Sequence, residues 1–186
     1  MQVGRSAPVW AAGRFFAAAA AFACAQQANA DVLTVTAKGT IPPACSISVA
    51  DPLPAADLTV SSGRVKGTAA VDCNTGFVIK AMSEHGALTT NAAVSRGFTN
   101  VLPYYLQVAV PLTGTSDVLL ARCNSKLLTA GNSACSLSPD GPGLSSGGKP
   151  AIRKTAVVTV IWSYSKPKPV AGAYHDTISI SVAAAP

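Results

Sequence analysis

The sequence reads as an all-β protein built from antiparallel sheets, a β-sandwich or barrel, on three observations. Apolar and polar residues alternate with period two along most of the chain. Gly, Pro, Asn and Ser collect between the alternating runs. No long apolar stripe follows the 3.6-residue spacing of an amphipathic helix. Strands with one apolar face each pack as antiparallel sheets covered on one side, which is how sandwiches and barrels bury a core.

The first 30 residues stand apart. Arg5 and Arg14 precede an apolar run, Phe15–Ala25, followed by Ala28-Asn29-Ala30 and then Asp31. A charged start, a short apolar stretch and an A-x-A site spell a secretory signal peptide, with maturation expected at Asp31. The run is too short for a membrane-spanning helix, which needs about 20 apolar residues. Lipoprotein processing at Cys24 fits less well, because Ala21 stands where a Leu is expected.

The next segment, residues 31–41, alternates from its outset. Leu33, Val35, Ala37, Gly39 and Ile41 share one parity against Thr34, Thr36, Lys38 and Thr40, and Pro42-Pro43 ends the run. Such a segment either closes the chain's own sheet or is offered to a partner. Further strands are expected at Cys45–Val49, Asp57–Val60, Val65–Cys73, Phe77–Met82, Leu102–Val110, Val118–Arg122, Thr155–Tyr164 and Tyr174–Val182. Their apolar faces are clear in the longer runs. Val65, Gly67, Ala69, Val71 and Cys73 form one face, and Leu102, Tyr104, Leu106, Val108 and Val110 another. Ala156, Val158, Val160 and Trp162 make a third; in the last run Tyr174, Asp176, Ile178, Ile180 and Val182 oppose His175, Thr177, Ser179 and Ser181. Ser136–Pro150, rich in Gly, Ser and Pro, reads as a mobile surface loop.

Cleavage after Ala30 leaves 156 residues, one domain's worth, as residues 31–186. The leader removes Arg5 and Arg14, so 12 basic residues face 8 acidic ones and the net charge falls from +6 to +4. The basic residues are scattered and form no stripe with aromatics, which argues against nucleic acid as a partner. Four cysteines remain, Cys45, Cys73, Cys123 and Cys135. Four cysteines allow three pairings in an exported chain. Cys45–Cys73 and Cys123–Cys135 are favoured, the first joining the start of one strand to the end of another, the second bracketing a turn. Loops of these lengths contribute about 3–3.6 kcal/mol each in the chain-entropy model. No C-x-x-C pair is present, so metal is not expected, and neither is any cofactor.

Catalytic residues are sparse. The mature chain has two histidines, His85 and His175, and one glutamate, Glu84. His85 falls in a turn and His175 on the polar parity of the last run. No phosphate-binding loop, dinucleotide fingerprint, zinc-protease motif or calcium loop is present. The expectation is a non-enzyme with no catalytic residues.

Several features together resemble the spore coat protein U family, the fold unit of archaic chaperone–usher pilins. The alternating segment after Asp31 is followed by Cys45, and Val71-Asp72-Cys73-Asn74 resembles the second cysteine at a strand end. Asn100-Val101-Leu102-Pro103-Tyr104 followed by Leu106 is similar to the family's Asn-x-x-Pro-Tyr-x-Leu stretch. Gly172-Ala173-Tyr174-His175-Asp176-Thr177 resembles its final G-x-Y-x-D-T strand. The likeness covers most of residues 31–183. The chain departs in Ala50–Leu58, which lacks the Phe-Gly pair many relatives carry. The resemblance implies an immunoglobulin-like sandwich that lacks one strand and is completed by donor-strand exchange. Leu33, Val35, Ala37, Gly39 and Ile41 would then be the donor residues, and Tyr174, Ile178, Ile180 and Val182 the edge where a chaperone docks. The implied partners are a periplasmic chaperone, an outer-membrane usher and neighbouring subunits. The implied product is a surface fibre serving adhesion and biofilm formation, exported through the periplasm. The rival expectation is a self-contained secreted or periplasmic β-sandwich that binds a ligand.

Overall fold

The structure, a computed structural model, describes residues 38–185. The candidate leader and Leu33, Val35 and Ala37 lie outside the described residues. Twelve strands follow in order among those described. They are β1 (Cys45–Asp51), β2 (Ser62–Cys73), β3 (Phe77–Ser83), β4 (Leu88–Thr89), β5 (Phe98–Thr99) and β6 (Val101–Leu102). Then come β7 (Tyr104–Pro111), β8 (Val118–Asn124), β9 (Leu144–Ser145), β10 (Ala151–Ser163), β11 (Lys168–Pro169) and β12 (Ile178–Ala184). One short 3₁₀ turn, Ser125–Leu128, follows β8.

The long strands make two antiparallel sheets, ordered β1-β2-β10-β7-β8 and β12-β3-β9. The expected parity builds the core between them. Ala69, Val71 and Cys73 of β2, Tyr104, Leu106, Val108 and Val110 of β7, and Ala156, Val158 and Val160 of β10 all point inward. They meet Phe77, Ile79 and Ala81 from β3. The fold is therefore an all-β antiparallel sandwich, as the alternation required. Trp162 is buried too, and its indole N–H donates to the Val60 carbonyl at 3.2 Å. Cys45 bonds Cys73 across the β1–β2 ladder, where the two are register partners, and Cys123 bonds Cys135.

Four expectations need correction. Asp57–Val60 is a turn: the Asp57 carboxylate accepts the Thr59 backbone N–H at 3.0 Å and its hydroxyl at 2.6 Å. A local side-chain bond of this kind competes successfully with a ladder over so short a run. Leu102–Val110 is two strands, broken at Pro103, which has no N–H to donate. Leu102 pairs with Leu88, whereas Tyr104 begins the long pairing with Trp162 and donates its N–H to Ser125 Oγ at 3.1 Å.

The Ser136–Pro150 segment is a packed cover, not a free loop. Leu137 and Ser138 are fully buried, Leu137 accepts the Ala81 N–H at 2.8 Å, and β9 pairs with β3. Finally, the last strand starts at Ile178. Tyr174–Thr177 lie before it, and of these His175 forms only an isolated bridge with Thr89.

Candidate functional site

Strand β1 is the end strand of the larger sheet and β12 the end strand of the smaller one. Among the described residues β1 pairs only with β2, and β12 only with β3. The two free edges approach each other across an apolar cleft of about 270 Å³. Ile47 and Val49 of β1 form one wall, Ile178 and Ile180 of β12 the other, and Gly67, Ala69 and Val158 the floor. Leu53 and Ile178 also border a wider cleft of about 980 Å³, reaching Val65, Leu88, Tyr104 and Val160. The gap between the sheets thus stays open along one side of the sandwich.

The floor is low because its residues are small. Gly67 lies directly under the chain as it leaves β1: a Cβ there would sit 2.8 Å from the Asp51 carbonyl oxygen and 3.0 Å from the Leu53 nitrogen. Only glycine lets Asp51–Leu53 cross so closely. The three apolar residues expected on the inward parity of the last strand, Ile178, Ile180 and Val182, are half-buried, and Thr177 and Ser179 are exposed. Incomplete burial of three consecutive inward β-branched residues is what an unfilled gap produces.

Tyr174, expected on the same strand edge, is elsewhere. It lies in the preceding loop and donates its hydroxyl to the Thr99 carbonyl at 2.9 Å, so it does not line the β12 edge beside Ile180. Burial pushes its phenol pKa up. Of the candidate donor residues, Gly39 and Ile41 are described. Ile41 is 84% exposed, and Gly39 has open space where a Cβ would stand.

The sequence reading placed Asp176 on the inward parity without giving it a role. Its carboxylate is 1% exposed and holds the chain just before β12 to the rest of the molecule. Ser83 Oγ and the Tyr104 hydroxyl both donate to Oδ2 at 2.6 Å, and the His85 backbone N–H donates to Oδ1 at 3.1 Å. His85 Nδ1 stands 3.4 Å from Oδ1. Burial, then the bond to the carboxylate, drives the Tyr104 phenol far above its ordinary pKa. Serine, histidine and aspartate meet here, but not as a nucleophilic triad. The serine donates to the carboxylate rather than to the imidazole, and Ser83 is buried. Its effect is to anchor one wall of the groove.

Asn74, also unremarked in the sequence reading beyond its motif, bonds to the chain entering β1. It donates Nδ2–H to the Pro42 carbonyl at 3.0 Å, and its Oδ1 accepts the Ala44 N–H at 2.8 Å. Its own N–H donates to the Ala44 carbonyl at 3.1 Å.

Among the described residues no cluster of three or more His, Cys, Asp or Glu could hold a metal ion. No helix among them is long and apolar enough to cross a membrane. Comparison with family models, with curated proteins and with solved structures finds no match. The fold and groove therefore define a class, a two-sheet β-sandwich with facing free edges, and function must be argued from that groove.

Proposed function

We propose that this protein is the structural subunit of a fibre, in which the groove of one subunit accepts a strand from its neighbour. One observation carries the reading: two free strand edges flank an open apolar groove between the sheets. An added strand would gain ladder hydrogen bonds along a free edge and place alternate side chains into the gap. The segment Leu33–Ile41 has the alternation such a strand needs, and Ile41 at its end is exposed. Leu33, Val35 and Ile41 would each contribute about 1.5–3 kcal/mol on full burial. Register follows from the side-chain period of two, since a one-residue slip would put Thr34 and Thr36 into the groove.

The reading extends to the spore coat protein U resemblance: an incomplete immunoglobulin-like unit, exported by its leader, that polymerises at the cell surface in adhesion and biofilm formation. A groove of this kind exposes apolar surface until it is filled, so assembly calls for a periplasmic chaperone and an outer-membrane usher. Catalysis has no part in it. Two cross-strand or local disulfides suit an exported domain with few large core residues.

The test is polymerisation. The exported protein, purified with its chaperone and then released, should form chains that resist cold SDS and fall apart on heating. A form lacking Val32–Ile41 should still bind chaperone and still accept a synthetic Val32–Ile41 peptide, but should not extend chains. A stable full-length monomer in which these residues are protected from hydrogen exchange would contradict the reading. In that case the segment completes its own sheet, and the chain is a self-contained binding module.

A further inference from the structure

If the groove accepts a strand, the nearest donor is the molecule's own N-terminal segment. A short tether gives an effective concentration in the millimolar range, so at about 10 μM protein a permitted self-insertion would win over a neighbour by about 100-fold. A fibre subunit needs a device against this. We propose that Asn74 and the Pro42-Pro43 pair set the identity of the acceptor, sending the donor segment into a second copy of the chain. The inference rests on the strand-donation reading above.

The argument begins with how the chain enters β1. The backbone bond from Asn74 N–H to the Ala44 carbonyl continues the β1–β2 ladder one step beyond Cys45 and Cys73. The Asn74 side chain then holds the Ala44 N–H and the Pro42 carbonyl. Residues 42–44 are thus fixed as an extension of β1, pointing past the end of β2. For Leu33–Ile41 to lie along the free edge of its own β1, the chain must reverse between Ile41 and Ala44.

Sequence chemistry forbids that reversal. The tight two-residue turns that join antiparallel strands need positive φ at one or both central residues. Proline fixes φ near −65°, and the residue before a proline is held extended, which applies to Ile41 and to Pro42. Neither proline has an N–H to close a turn. A wider turn would have to free the backbone groups of Pro42 and Ala44 that Asn74 holds. A parallel self-insertion is excluded by length, because parallel neighbours need a crossover of about a dozen residues or more. The occupant that remains is the donor segment of a second copy.

These residues are all exposed, so changing them leaves the core intact. The experiment compares the purified full-length exported chain at about 10 μM in four forms: unaltered, Asn74→Ala, Pro42→Gly with Pro43→Gly, and all three changes together. Native mass spectrometry gives the ratio of monomer to chains, and hydrogen exchange reports on residues 33–41 in the monomer. The unaltered protein should form chains. The triple variant should shift toward monomer by at least about tenfold, with residues 33–41 protected, because the segment now closes its own groove. Asn74→Ala and the double glycine variant should fall between, and either one serves if the triple variant folds poorly. Chain formation by every variant equal to that of the unaltered protein would overturn the inference while leaving strand donation standing. Variant monomers with residues 33–41 unprotected would overturn it as well. An unaltered protein that is already a monomer with a protected segment overturns strand donation itself, and this inference with it.

Discussion

Asp176 shows how one side chain can fix the wall of a groove. A carboxylate side chain at 1% exposure is tolerated only with several hydrogen-bond donors, and Ser83, Tyr104 and His85 supply them. Asp176→Ala leaves two hydroxyls without their acceptor, so we expect a loss of about 3 kcal/mol in denaturant unfolding. By contrast, Asp57→Ala removes only solvent-exposed turn bonds and should lower stability far less than Asp176→Ala. Tyr104 allows a pH test. Its phenol pKa is raised in the folded state by burial and by the neighbouring carboxylate. A raised pKa stabilises the fold fully below the unfolded value, about 10, and that contribution is lost as pH climbs through the interval above it. Thermal unfolding of the native protein should therefore fall more steeply above pH 10 than that of Tyr104→Phe. Parallel curves for the two proteins would exclude Tyr104 as the source.

At the scale of elements, the strand β12 is informative because its apolar face is only partly covered. Ser179 and Ser181 point out, while Ile178, Ile180 and Val182 point in but remain half-buried. Ile180→Asp would place a charge in the apolar cleft, whereas Ser179→Asp adds one to solvent. The first should abolish periplasmic accumulation of the protein and its capture of a Val32–Ile41 peptide; the second should alter either by no more than twofold. Immunoblots of periplasmic extracts and peptide titration give the comparison, and equal tolerance of both changes would contradict the assigned faces. The cover formed by residues 136–150 belongs to this scale too. Leu137→Asp should destabilise the sandwich by several kcal/mol, because the side chain is fully buried against the core, whereas Leu144, half-buried, should tolerate Ala with a smaller loss.

For the whole molecule, the open side of the sandwich is the governing feature. Sheets ordered β1-β2-β10-β7-β8 and β12-β3-β9 leave two edges facing one cleft. An unpaired apolar edge invites association with another strand. The purified domain lacking Val32–Ile41 should therefore aggregate more readily, and addition of the peptide should raise its unfolding midpoint by mass action. A midpoint unmoved by saturating peptide would show that the cleft does not accept this strand.

Alternation alone determined the sheet class, the inward residues of β2, β7 and β10, and the parity of Ile178, Ile180 and Val182, because side-chain direction in a strand is a local property with period two. Cysteine placement likewise pointed to the two bridges that the structure forms. Local pattern failed where a long-range partner or a single side chain outweighed it. Pro103 split one run, Asp57 closed a turn, and residues 136–150, loop-like in composition, were drawn onto β3 by burial of Leu137. The roles of Asn74 and Asp176 were equally invisible in sequence, since their partners stand 30 and 32 residues away for Asn74, and 72 to 93 residues away for Asp176. Tertiary structure alone decided that β1 and β12 end their sheets on the same side, for edge position depends on strand order, which no single strand encodes.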